Sequence, residues 1–119
     1  MKKSVYLDTT IISFLFDERE SIQNLIDITK DWWNTQRNKF NIYLSLETLA
    51  ELQTGNYPKK GEALKLAESL EVLRRSSEIN KIAEIYISNY LMPEELGGDA
   101  IHLAYASVYK IDFLFYMEL

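Results

Sequence analysis

The sequence contains no cysteine, a single histidine, two prolines and four glycines. Without cysteine there is no disulfide scaffold, no thiolate metal site and no Cys nucleophile. With His102 as the only imidazole, a multi-histidine zinc site is excluded as well. No apolar run approaches the about 18 residues of a membrane span, and Lys2-Lys3 leads straight into a charged, strand-like segment. Neither a span nor a signal peptide is visible, which reads as a cytoplasmic chain with no membrane partner. Positive charge is also short: 18 acidic residues against 13 basic give a net charge of −5, which speaks against a bulk electrostatic nucleic-acid binder. What is present is 119 residues, 47% of them hydrophobic. That length suits one domain, residues 1–119, able to bury about two-thirds of its unfolded surface.

Strand-like and helix-like segments alternate. Ser4-Val5-Tyr6-Leu7-Asp8 is a short β-favouring run ending in an acid, and Thr9 to Phe16 follows as a short buried helix. From Ser21, apolar positions at Ile22, Leu25, Ile26, Trp32 and Trp33 keep helical spacing. Ile42-Tyr43-Leu44 reads as a second strand, and Ser45 as the N-cap of a helix ending at Gly55. Pro58 suits the first turn of a further helix through Leu70, and Glu71 to Arg74 is a weak third strand. Ile79 to Leu91 is strongly helical, Asp99 opens a last helix, and Ile111 to Met117 is a final strand, apolar on both faces. The pattern predicts an α/β fold: a three-layer sandwich around a mostly parallel sheet.

In open α/β sheets, ligands bind beyond the carboxyl ends of the strands. Four acids qualify: Asp8 after the first strand, Glu51 in the helix after the second, Asp99 at the start of the last helix, and Glu118 after the last strand. No basic residue is obviously interleaved, so gathering them requires a cation. Carboxylates without thiols or several imidazoles suit Mg²⁺ or Mn²⁺, which can activate water and neutralise charge on a phosphoryl group. Each acid also has an ordinary structural role. Asp8 suits capping of the following helix, Asp99 suits a positive helix N-terminus, and a single helical glutamate is ordinarily solvated. Glu47 lies one turn before Glu51, and spacing does not choose between them.

Three blocks occur in order: Tyr6-Leu7-Asp8-Thr9-Thr10, Ser45-Leu46-Glu47-Thr48-Leu49-Ala50-Glu51-Leu52, and Gly98-Asp99-Ala100-Ile101-His102-Leu103-Ala104. Together they resemble the motifs of PIN-domain ribonucleases of the single-domain bacterial type, similar to the toxins of toxin–antitoxin pairs. The resemblance runs from Val5 to about Phe115. It implies a parallel sheet with helices on both faces. It implies Asp8, Glu51 and Asp99 as catalytic ligands of Mg²⁺ or Mn²⁺, and hydrolysis of single-stranded RNA by metal-bound water. Thr9 matches a small hydroxyl residue that orients a water or the carboxylate, and Ser45 matches a similar position after the second strand. The resemblance also implies an antitoxin partner, and the region from Phe14 to Trp33 as an interface.

The resemblance breaks after the last shared strand. The family continues with Thr/Ser-x-Asp or Asn, a short helix and a fifth strand; here Tyr116-Met117-Glu118-Leu119 follows. The expectation is a PIN-like domain lacking its last helix and strand, with Glu118 as a stand-in for the fourth ligand beside a free terminus. Phe113 to Met117 would then be an uncovered apolar edge, expected to pair with a second copy as a homo-oligomer. His102 reads as a packed or hydrogen-bonded residue, and Trp32-Trp33 as core or partner contacts. Short basic pairs such as Lys59-Lys60 read as solvated surface. The alternative function is a catalytically impaired PIN-fold module acting through protein or RNA binding. A phosphorylatable receiver domain fits less well, because Asp8 has no adjacent acid.

Overall fold

The computed structural model describes residues 2–89 and 97–116, with only the backbone described for 97–99. Four strands, β1 (Lys3–Leu7), β2 (Phe40–Ser45), β3 (Glu71–Leu73) and β4 (Phe113–Phe115), form one sheet of order β3-β2-β1-β4. Every pairing is parallel, with Val5 opposite both Ile42 and Phe113. The helices are α1 (Thr9–Leu15), α2 (Gln23–Gln36), α3 (Leu46–Gln53), α4 (Lys60–Glu68), α5 (Ser77–Ser88) and α6 (Gly97–Val108).

Strand alternation sorts the core into two layers. Val5, Leu7 and Leu44 meet Ile11, Ile12, Leu52, Ala63 and Ala67 from α1, α3 and α4, with Trp32 of α2 and Phe115 packed alongside. Tyr6 and Leu73 point the other way, onto Ile79 and Ala83 of α5 and Ala100, Ala104 and Tyr105 of α6. This is the three-layer α/β sandwich expected from the sequence. Each fully buried Leu or Ile in these layers contributes about 1.5–3 kcal/mol relative to exposure.

Several boundaries differ from the sequence reading. A 3-10 turn at Glu20–Ile22 precedes α2, which therefore starts at Gln23 rather than Ser21. Pro58 lies outside α4. Lys59, in the left-handed region at φ 62°, reverses the chain before the helix begins at Lys60. The final strand is shorter than Ile111 to Met117, because Lys110 at φ 55° turns the chain and Asp112 bonds to Ser4. Its two phenylalanines share one face but are covered unequally. Phe115 packs on Trp32 at 4.7 Å between ring centres, whereas Phe113 is 52% exposed, as befits an edge strand. Trp32 also stacks on Phe40 at 5.9 Å, so its ring belongs to the core. Met117, Glu118 and Leu119 lie outside the described residues. Among the described residues, no helix is long and apolar enough to cross a membrane.

Candidate active site

β1 ends at Leu7, and Asp8 caps α1, its carboxylate accepting from the Thr9 N–H at 2.7 Å and the Thr10 hydroxyl at 3.1 Å. The capping role open to Asp8 in the sequence is therefore filled. The Asp8 N–H in turn donates to the Phe115 carbonyl at 3.0 Å, fixing the backbone against β4. Burial pushes the Asp8 carboxyl above its ordinary range, against the opposing pull of His102 and the Thr9 N–H.

Ser45 caps α3, its hydroxyl oxygen accepting from the Thr48 N–H at 3.3 Å. That start places Glu51 in the second turn, facing α1. Glu51 Oε1 accepts from the Thr9 hydroxyl at 2.6 Å and lies 2.6 Å from His102 Nε2; Asp8 Oδ1 is 3.4 Å from the same nitrogen. Burial disfavours the Glu51 charge, but the bonds from His102 and Thr9 outweigh it and hold the carboxyl below the usual range. Glu47 points elsewhere and forms an ion pair with Arg75. Packing thus separates two glutamates that spacing could not.

His102 is the group that the sequence reading undervalued. It is 3% exposed and hydrogen-bonded, as a lone helical histidine ordinarily is, but its partner is Glu51. Its Nδ1 lies 2.5 Å from the Tyr6 hydroxyl, itself 2.7 Å from Ser45 Oγ. Burial pushes the Tyr6 phenol well above its ordinary value. Two signals pointed here. His102 falls three residues after Asp99, close to one helical turn, and Tyr6 carries a hydroxyl between the apolar Val5 and Leu7, where it needs a polar partner. Thr48 and Tyr105 are fully buried around this relay, and burial pushes the Tyr105 phenol up to about 12.

The structure therefore brings together Asp8, Thr9, Glu51 and His102, with Ser45 linked through Tyr6. Asp99 lies in the first turn of α6, its side chain outside the description, and Glu118 lies outside the described residues. Among the described residues, which exclude the Asp99 side chain, no group of three His, Asp or Glu is arranged to hold a metal ion. The Asp8 and Glu51 oxygens that are described fit a hard divalent cation such as Mg²⁺ or Mn²⁺ in kind. Such an ion would also offset the burial penalty on the Asp8 charge. Beside Glu51 opens a cavity of about 610 Å³, walled by Phe16, Leu52 and Tyr57 and rimmed by Asp17, Glu18 and Arg19.

No family model matches the sequence, and no curated protein matches it. Solved structures do. VapC20 of Mycobacterium tuberculosis, a sarcin-ricin loop cleaving toxin, superposes with a TM-score of 0.67 at 14% identity, over 97% of this chain and 90% of that one. The fold is PIN-like. A chain from a toxin–antitoxin complex of Klebsiella pneumoniae matches the same PIN-like chain with a TM-score of 0.61 at 21% identity, covering 94% of this chain and 85% of that one.

Proposed function

We propose that this chain is a PIN-type ribonuclease that uses Mg²⁺ or Mn²⁺ to hydrolyse single-stranded RNA, acting in the cytoplasm as the toxin of a toxin–antitoxin pair. One observation carries the reading: carboxylates 43 residues apart in sequence, Asp8 and Glu51, converge on one imidazole nitrogen beyond the carboxyl ends of β1 and β2. Asp99, in the first turn of the helix that bears His102, is the third ligand in this reading. A bound divalent ion supplies charge neutralisation at a phosphodiester and lowers the pKa of water. The chain's own residues do the positioning. Thr9 and His102 donate to Glu51 Oε1, and the Thr9 N–H and Thr10 hydroxyl hold Asp8. The aromatic-walled cavity beside Glu51 supports the reading by offering room for substrate flanking the scissile bond.

The fold shared with a sarcin-ricin loop cleaving toxin and with a chain of a toxin–antitoxin complex supports RNA as substrate and a protein antitoxin as partner. Phe113 and Tyr116, 52% and 54% exposed on and beside the edge strand, support self-association along that edge. A monomer by light scattering at high concentration would sink that element. The central test is Mn²⁺ calorimetry on the wild-type chain and on Asp8→Asn, paired with cleavage of single-stranded RNA. Binding lost in Asp8→Asn together with metal-dependent cleavage is the expected result. No heat of binding in the wild type overturns the nuclease reading, and binding without cleavage of any RNA points to an impaired module.

A further inference from the structure

We propose that His102 is a positioning residue for Glu51, anchored by a ring of hydrogen bonds that leaves α3 at its first turn and returns to it at its second. The ring starts at the Thr48 N–H, passes to Ser45 Oγ, to the Tyr6 hydroxyl on β1, to His102 Nδ1 on α6, and ends from Nε2 on Glu51 Oε1. Tyr6, Ser45 and Thr48 are fully buried and His102 nearly so, so water cannot replace any link below Glu51. The proton order follows from the ends. An ionised Glu51 only accepts, so Nε2 carries the proton. With the ring neutral, Nδ1 accepts from Tyr6, which accepts from the Ser45 hydroxyl; with the ring protonated, Nδ1 donates to Tyr6; in both states Nε2 donates to Glu51 and Ser45 accepts from the Thr48 N–H.

Glu51 itself is 44% exposed at its side chain and would otherwise sample several rotamers. Two donors, Thr9 and His102, converge on Oε1, while Oε2 accepts no hydrogen bond among the described residues. Oε1 therefore fixes the carboxylate, and Oε2 is the oxygen presented for a cation. Asp8 and Glu51 are thereby held facing one point before any ion arrives. The inference rests on the reading of Glu51 as a metal ligand.

The test is Mn²⁺ calorimetry on the wild-type chain, His102→Gln, His102→Asn and Tyr6→Phe, with thermal melts to verify folding. Glutamine places an N–H near the position of Nε2, whereas asparagine reaches only the position of Nδ1 and the Tyr6 hydroxyl. His102→Asn is expected to weaken Mn²⁺ binding by about 10- to 100-fold, the usual cost of losing a partner that orients a ligand, and His102→Gln to restore most of it. Tyr6→Phe keeps the imidazole but removes the hydroxyl facing Nδ1, and is expected to weaken binding less than His102→Asn; it carries the test if His102→Asn does not fold. Wild-type binding with His102→Asn unchanged or tighter overturns the positioning role alone. Equal weakening in His102→Gln and His102→Asn, tracking their melting temperatures, also overturns it in favour of a packing role. No binding by the wild type overturns both this inference and the nuclease reading.

Discussion

Replacing Tyr6 by phenylalanine isolates one oxygen atom at the centre of the molecule. The ring stays, so packing against His102 and Tyr105, whose ring centres lie 5.5 Å and 6.1 Å away, is preserved. Two bonds are lost, to Ser45 at 2.7 Å and to His102 at 2.5 Å. Ser45 keeps the Thr48 N–H, so its loss is that of an ordinary bond, about 0.5–1.5 kcal/mol. His102 Nδ1 loses the hydroxyl that faces it in a buried site, at about 1–3 kcal/mol. Relief from desolvating the phenol offsets part of this, and the net expectation is a destabilisation of about 2–3 kcal/mol. With a urea slope of about 2 kcal/mol per molar, the unfolding midpoint should fall by about 1–1.5 M at unchanged slope. Circular dichroism with urea titration measures this directly. Combining Tyr6→Phe with Ser45→Ala should depart from additivity by about 0.5–3 kcal/mol, because the two share a bond. A single-variant loss below about 0.5 kcal/mol, the range of neutral surface changes, would refute the buried relay.

Other outcomes follow from the same structure. Glu51→Gln should abolish Mn²⁺ binding by calorimetry. Glu47→Gln, which loses only the exposed pair with Arg75, should leave binding intact and cost no more than about 1 kcal/mol. Leu44→Ala, fully buried on β2 between β1 and β3, should cost about 2–5 kcal/mol in denaturant unfolding. The phenols of Tyr6 and Tyr105 are both raised by burial, so the stability they contribute is intact below the free phenol value of 10.0 and is lost as pH rises above it, towards about 12 for Tyr105. Absorbance at high pH should show tyrosines that ionise only as the chain unfolds, and Tyr6→Phe should reduce their number. A full phenol titration in the folded state would contradict that.

The sheet and its two covered faces were legible because period-two strands and helical stripes are local patterns, written in Val5-Tyr6-Leu7 and Ile42-Tyr43-Leu44. Asp8 was legible from its place at a strand end. Glu51 was not separable from Glu47 by spacing, because the choice depends on how α3 rotates against α1 and α6. His102 was legible as a buried, bonded residue but not as the partner of an acid. Its hydrogen-bond partners Tyr6 and Glu51 lie 96 and 51 residues away, and only tertiary packing brings them together. Helix starts were misjudged where side chains or turns set the boundary, as at Lys59, whose left-handed backbone no periodicity reveals.

The tie between β1 and β4 bears on the order in which the site becomes complete. Ser4 is clasped by Asp112 at one end of the pair, and the Asp8 N–H by the Phe115 carbonyl at the other. These contacts join residues about a hundred positions apart, and such long loops close late in folding. During synthesis, Asp8 leaves the ribosome about a hundred residues ahead of β4, yet its backbone anchor does not exist until β4 has emerged and docked. The first of the candidate acids to be made is thus among the last to be fixed, and a growing chain would hold its carboxylates unassembled until nearly all of the described fold has been translated.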